Sequence, residues 1–336
     1  MDQVSIAVLG AGYMGAVYAR VLASLPQARL AGLADTLPDK ARNLAAGLGL
    51  QGYAGRDAVE LLALPGLQAV IIATPESEHT EAALAALDAG LDVFVEKPLA
   101  PTVAECQEIL DAAQRRERVV MVGHTTRFDP RFVAAHDAIA RGEIGQVVHA
   151  FARRNNPASR LVRLGNRVSV AAFLGVHDYD LLLWIVGQPV RSVFARGVRR
   201  ALGAMGLDDC IIALLTFADG TLAVVENAWG APDVQGRPRN VCFEVRGTKG
   251  IIEIDVTEQG FGIYTPESAR FPDMWFRPEL YGHTIGMYYD AMAHFVECVR
   301  NRKKPLIDGA VGMAAVQVLE AVERSLAEGR EVTIAA

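Results

Sequence analysis

The sequence predicts an α/β protein: an N-terminal Rossmann-type, doubly wound parallel sheet, then an α+β domain with a large, mostly antiparallel open sheet. Three observations carry this. Strand-like and helix-like stretches alternate with short loops from Val4 to His124, the pattern of parallel strands joined by crossover helices. A glycine loop, Gly10-Ala11-Gly12-Tyr13-Met14-Gly15, follows the first strand at once. From about Thr125 strands dominate, and two pairs are joined by hairpin turns, at Asp219-Gly220 and around Gly247 to Lys249. At 336 residues the chain is too long for one ordinary core. The change of pattern puts the boundary at residue 124, giving domains 1-124 and 125-336.

Composition narrows the function classes. Half the residues are apolar and 21% are charged, as in globular proteins. A net charge of −6 offers no bulk field for nucleic acid or an anionic membrane. Arginines do gather at Arg153, Arg154, Arg160, Arg163 and Arg167, which reads as a solvated or salt-bridged surface before it reads as an anion site. Cys106, Cys210, Cys242 and Cys298 are widely spaced, as expected of reduced thiols in a cytoplasmic protein. The N-terminus enters a strand directly, without the basic start of a signal peptide. No apolar run approaches the ~18 residues of a membrane span.

In the first domain, Val4 to Leu9 is a continuous β-prone run, as a strand buried on both faces should be. In the loop after it, Gly10 permits the tight turn, Gly12 lets backbone approach a pyrophosphate, and Gly15 lets helix pack on strand. The helix that follows the loop with its Tyr13 and Met14 runs through Ala23 and turns its amides and positive dipole end toward the phosphates. A second strand, Leu30 to Ala34, ends in Asp35, 20 residues past Gly15, the spacing of a ribose-binding carboxylate. Asp35 accepts from ribose hydroxyls but repels a 2′-phosphate, and residue 36 is Thr rather than Arg, so NAD is expected over NADP. Helix 41–48, strand 68–73, helix 79–89, strand 92–95, helix 103–116 and strand 119–122 complete the domain. Thr74, Pro75, Glu96, Lys97 and His124 all fall at carboxyl ends of strands, where such sheets bind ligands. Pro98 confines Lys97 to an extended conformation that aims its side chain off the sheet.

In the second domain, Asp129 and Pro130 mark a helix start by N-cap and first-turn preference. Strands are expected over 147–153, 190–198, 211–217, 222–228, 241–246 and 250–255. Helices 178–186, 288–301 and 311–328 are expected to cover one face of their sheet. The other, apolar face is left for a partner subunit, in a homodimer or homotetramer.

These motifs together resemble the GFO/IDH/MocA family, the sugar and inositol dehydrogenases, over essentially the whole chain. Gly10 to Gly15 matches the family's cofactor loop. Thr74-Pro75 with His79 resembles its Thr-Pro-Asn-x-x-His segment, with Glu76 in place of Asn. Glu96-Lys97-Pro98 is its most specific motif. Arg127-Phe128-Asp129-Pro130, Asn156-Pro157 and His177-Asp178-Tyr179-Asp180 match three further family segments in order. The resemblance implies Gly10, Gly12, Tyr13, Met14, Gly15, Asp35, Thr74, Pro75, His79, Glu96 and Lys97 at the cofactor. It implies Lys97 and His177 as the catalytic pair, with Arg127 and Asn156 at the substrate. Many members carry an Asp four residues before the histidine; here that residue is Phe173.

The reaction implied is hydride transfer between nicotinamide and a secondary carbinol of a polyol, sugar or sugar derivative. A histidine suits the accompanying proton transfer, its ordinary pKa being about 6.5. Lys97 suits stabilisation of the negative charge on the substrate oxygen; desolvated, it is itself an acid–base candidate. The plainer reading of His177 is a core histidine bonded to backbone. No third histidine or cysteine ligand accompanies His177, Asp178 and Asp180, so no metal is expected, and the two aspartates read as helix caps. Tyr281 and His283, in a polar aromatic loop, are candidates for lining a sugar pocket or an oligomer contact. Trp229, ending a strand, reads as core. Two other readings fit: a keto-sugar or nucleotide-sugar reductase or dehydrogenase, and a catalytically silent NAD-binding regulator.

Overall fold

The computed structural model describes residues 3–163, 168–231, 240–257, 260–281 and 283–334; side chains of residues 160, 162, 163, 231, 268 and 269 are excluded. Arg167 and the side chains of Arg160 and Arg163 in the arginine cluster therefore lie outside what is described. The chain forms two compact units, residues 1–128 with 276–316, and residues 129–275 with 317–336.

The first unit opens with β1 (Val4–Leu9), α1 (Tyr13–Ser24), β2 (Ala28–Ala34), α2 (Pro38–Leu48), β3 (Tyr53–Gly55), α3 (Ala58–Leu62), β4 (Ala69–Ile72), α4 (His79–Asp88), β5 (Asp92–Val95), α5 (Val103–Arg116) and β6 (Val120–Val122). The six strands are parallel in the order β3-β2-β1-β4-β5-β6. Every residue of β1, β4, β5 and β6 is buried, which explains their unbroken apolar runs. The order reverses between β1 and β4, which are adjacent although α1 through α3 separate them in sequence. That switch point is where open α/β sheets leave a crevice for ligands. The sequence showed no signal for β3 and α3, which are three and five residues long.

The second unit begins with α6 (Pro130–Ala140), whose N-cap Asp129 accepts from the Arg131 amide. There follow β7 (Val147–Pro157), a π-helical turn over Ala171–Gly175, α7 (Val176–Val186), β8 (Val190–Val198), β9 (Cys210–Phe217), β10 (Leu222–Ala231), β11 (Asn240–Gly247) and β12 (Ile251–Asp255). A small hairpin comes next, β13 (Ile263–Thr265) and β14 (Ser268–Arg270). A second hairpin, β15 (Glu279–Leu280) and β16 (His283–Thr284), belongs to the first unit with α8 (Met287–Asn301). Then come α9 (Gly309–Glu328) and β17 (Val332–Thr333).

The large sheet has the order β12-β11-β7-β10-β9-β8-β17 and is antiparallel except at its centre, where β7 and β10 run parallel. Its strands alternate buried and outward residues. In β9, Ile211, Ala213, Leu215 and Phe217 are buried while Ile212 and Leu214 face out.

One expectation is corrected. Helix α8 does not cover the second sheet. Its buried residues Ala291, Met292, Phe295, Val296, Cys298 and Val299 join the core of the first unit, and Phe295 meets Phe94 of β5 edge-on at 5.7 Å. Periodicity showed that α8 has an apolar face, but not which sheet that face meets. The end of α9 does lie on the large sheet, where the Ala195 amide donates to the Ser325 hydroxyl at 2.8 Å.

Candidate active site

In the first unit the site grows from the β1–α1 turn. Gly10 has φ +95°, and a Cβ there would lie 2.5 Å from the Ala73 carbonyl oxygen. A Cβ on Gly15 would lie 1.7 Å from the Gly10 carbonyl oxygen. Gly12 is different: nothing lies within 4 Å of an added Cβ. Two glycines close the turn and the third leaves open space above it. No side chain caps α1 and its first turn holds no acid, so its amides and dipole are left to an anion. Tyr13, at the head of the helix, is largely exposed, with the Arg277 guanidinium 4.8 Å from its ring centre. Met14 packs on the core.

Asp35, one residue past β2, accepts from the Ala11 amide with Oδ2 and from the Leu37 amide with Oδ1, both at 2.8 Å. It thus holds the glycine loop from the end of β2. Thr74 follows β4; its Oγ1 is buried without a partner among the described residues. His79 is buried, its Nδ1 2.8 Å from the Pro98 carbonyl and its Nε2 3.2 Å from the Thr74 carbonyl. The ring therefore sits between the chain segments leaving β4 and β5, with Pro75 in the first, and its one N–H donates to one of the two carbonyls. Burial lowers its pKa, which keeps it neutral.

Glu96 follows β5 and is buried; its Oε1 accepts from the Tyr18 hydroxyl and its Oε2 from the Lys97 amide at 3.0 Å. Burial raises its pKa, and the charge of Lys97 opposes that rise. Lys97 itself is half-buried. Arg127 lies in a 3-10 turn after β6, behind the buried His124. Tyr281 and His283 lie in the β15–β16 hairpin, which packs on α1; Tyr281 is 95% exposed.

In the second unit, β7, β10 and α7 bring together another set. Arg154 meets the Asp178 carboxylate through Nε at 2.9 Å and a terminal nitrogen at 2.8 Å. The Asn227 amide donates to the other Asp178 oxygen at 2.9 Å. Asp178 therefore does not cap α7: the π-helical turn runs straight into the helix, leaving no free N-terminus to cap. Asp180 is buried too, whereas His177, just before Asp178, is partly exposed. Asn156 is buried, with Oδ1 unpartnered among the described residues. It pairs across the parallel strands with Trp229, which is buried as core. The Phe173 ring stacks on Trp229 at 5.5 Å, so an aromatic contact occupies the place of the family's usual carboxylate.

Sequence reasoning missed Tyr18, Arg277 and the Arg154–Asp178–Asn227 network. Asn227 did carry a signal, since strand alternation puts it on the buried face beside Ala223 and Val225. Tyr18 carried none, because an aromatic on the inner face of a helix reads as core.

The residues present fit a dinucleotide. The space over Gly12, the uncapped α1, a carboxylate at the end of β2 and the unpartnered Thr74 hydroxyl line the carboxyl ends of adjacent strands. Comparison with known proteins agrees. Residues 4–124 match the family model of oxidoreductases with an NAD-binding Rossmann fold, and residues 132–253 match the GFO/IDH/MocA C-terminal domain. Myo-inositol 2-dehydrogenase of Thermotoga maritima is 29% identical, covering 98% of this chain and 98% of its own. The NAD(+)-dependent scyllo-inositol 2-dehydrogenase of Bacillus subtilis is also 29% identical, over 99% and 96%. The crystal structure of scyllo-inositol dehydrogenase from Lactobacillus casei with bound NAD(H) and scyllo-inositol superposes with a TM-score of 0.87 at 21% identity, covering 100% of both chains, and so shares the fold. With both of its domains matched in order, this chain belongs to the GFO/IDH/MocA family of oxidoreductases.

Proposed function

We propose that the protein is an NAD-dependent dehydrogenase that oxidises a secondary carbinol of an inositol-like polyol, a sugar or a sugar derivative. One observation carries this. The glycine loop, Thr74 and Lys97 follow β1, β4 and β5, three neighbouring strands at the switch point of one sheet. An open glycine turn and a half-buried lysine at the carboxyl ends of neighbouring strands support this reading.

NAD bound there supplies the hydride acceptor. The loop from Gly10 to Gly15 and the amides of α1 would hold its pyrophosphate, and Asp35 its adenosine ribose, which excludes a 2′-phosphate. Thr74 and Pro75 would line the path toward the nicotinamide. His79 and Glu96 act through the backbone they hold rather than on the cofactor. Lys97 donates to the carbinol oxygen and stabilises the negative charge that develops there. His177 accepts the hydroxyl proton. Phe173, stacked on Trp229, gives that histidine no carboxylate, and this keeps Lys97 as the alternative acceptor. Arg127 and Asn156 are assigned to substrate hydroxyls, and the exposed Tyr281 and His283 to the substrate's outer side. Residues 1–124 serve the cofactor, and residues 125–336 serve substrate binding and self-association. The four free cysteines fit a reducing, cytoplasmic setting.

The test is a panel of polyols, sugars and nucleotide sugars with NAD and with NADP, read by absorbance of the reduced cofactor. Turnover of a polyol with NAD is expected. Tight NAD binding with no turnover of any carbinol would instead mark an NAD-binding regulator.

A further inference from the structure

Within the first unit, the buried pair Tyr18–Glu96 joins two parts of the site that are 78 residues apart in sequence. Tyr18 is on α1, the helix that starts at the glycine loop. Its ring is fixed edge-on against Phe94 at 5.1 Å and against Tyr288 of α8 at 6.1 Å. Its hydroxyl donates to one oxygen of Glu96, and the Lys97 amide donates to the other at 3.0 Å. Both carboxylate oxygens are thus held, so Glu96 has one orientation. The backbone of Lys97 is thus linked through Glu96 to the helix that starts at the glycine loop.

We propose that Tyr18 is a positioning residue for the reaction, acting through Glu96 to aim Lys97 relative to the glycine loop. The proposal rests on the reading that Lys97 acts on the substrate oxygen. Packing alone gives no reason for the hydroxyl, since a phenylalanine would fill the same space against Phe94 and Tyr288. A carboxylate in this buried place is costly unless its oxygens are bonded. Without the hydroxyl, Glu96 must take up a proton or turn toward the neighbouring ammonium, and either change releases Lys97 from its direction. The other titratable groups facing this corner are Tyr288, coupled to Tyr18, and His79, coupled to Lys97. Burial raises the pKa of Tyr18, so its hydroxyl keeps its proton and donates.

The test uses Tyr18→Phe, Glu96→Met, the double variant and Lys97→Met, each checked for melting temperature. Losing a bond to a charged acceptor should lower kcat about ten- to hundredfold in Tyr18→Phe. KM and the Kd for NAD should stay within about twofold, because the ring and the loop are untouched. In the Glu96→Met background, Tyr18→Phe should cost nothing further, since it acts through that carboxylate. Equal losses from Tyr18→Phe in both backgrounds, or wild-type kcat in Tyr18→Phe, would overturn the proposal. Wild-type turnover in Lys97→Met would instead overturn the catalytic reading on which it rests, so the two failures are distinct.

Discussion

Four residues carry three separate tests. Asp35 accepts two backbone bonds besides the ribose contact proposed for it. Asp35→Ala with Thr36→Arg should therefore reverse the preference toward NADP while costing about 1 kcal/mol of stability through the loosened loop. The ratio of kcat/KM for the two cofactors decides it, and a wild type that already favours NADP refutes the role given to Asp35. The catalytic pair is separated by pH. If His177 is the proton acceptor, the limb of the oxidation profile in the histidine range should vanish in His177→Ala. A limb that survives there and vanishes in Lys97→Met assigns the proton to Lys97. His79 is a third case. Its folded pKa lies below the ordinary 6.5 because burial disfavours the imidazolium. Below 6.5 the unfolded chain therefore binds the proton more readily, and stability falls with pH until the folded pKa is passed. Denaturant titrations from pH 7 to 5 should show that decline, reduced in His79→Gln; an unchanged slope would show that His79 does not contribute.

At the scale of elements, the β1–α1 turn separates folding from binding. Gly15→Ala would force a Cβ to 1.7 Å from the Gly10 carbonyl, so α1 must move off β1, at a cost of at least about 3 kcal/mol. Gly12 has φ −71° and open space, so Gly12→Ala should leave the fold intact. Its methyl group would fill the space where a pyrophosphate approaches, and the Kd for NAD should rise at least about tenfold. Thermal melts and NAD titrations of the two variants are expected to show opposite patterns. A Gly12→Ala protein that binds NAD as the wild type does would remove the pyrophosphate from this turn. The α7 helix illustrates a different constraint. Because a π-helical turn feeds into it, its aspartates have no free amides to cap, and Asp178 instead neutralises Arg154 beneath the sheet. Such turns are frequent at functional sites, and this one ends two residues before His177.

At the scale of the whole molecule, the outward face of the large sheet calls for a partner. Phe194, Ile212, Leu214 and Leu222 are each 38–51% exposed on neighbouring strands. An apolar sheet face of this kind suits a protein contact, and a two-fold contact with a second copy would bury it on both chains at once. We propose a dimer or a dimer of dimers. Ile212→Asp with Leu214→Lys should shift light scattering toward the monomer mass while circular dichroism stays unchanged. A wild-type chain that scatters as a monomer at micromolar concentration rules the assembly out.

The sequence alone determined whatever depends on neighbours along the chain. The glycine loop, Asp35 at its fixed spacing, the N-cap at Asp129 and the strand ends bearing Thr74 and Lys97 are local features, because turn geometry and strand period are local. The alternation of β9 likewise revealed a sheet with one buried face. Partnerships across the chain were decided only by tertiary structure. Helix α8 shows an apolar stripe in any reading, yet a stripe does not name its partner, and packing against Phe94 and Tyr18 places it on the first sheet. The parallel pairing of β7 with β10 depends on the order in which strands enter the sheet, not on either strand's residues. Tyr18 and Glu96, or Arg154, Asp178 and Asn227, meet because sheet order brings distant strands and helices together. Burial then makes each of these polar groups need the other.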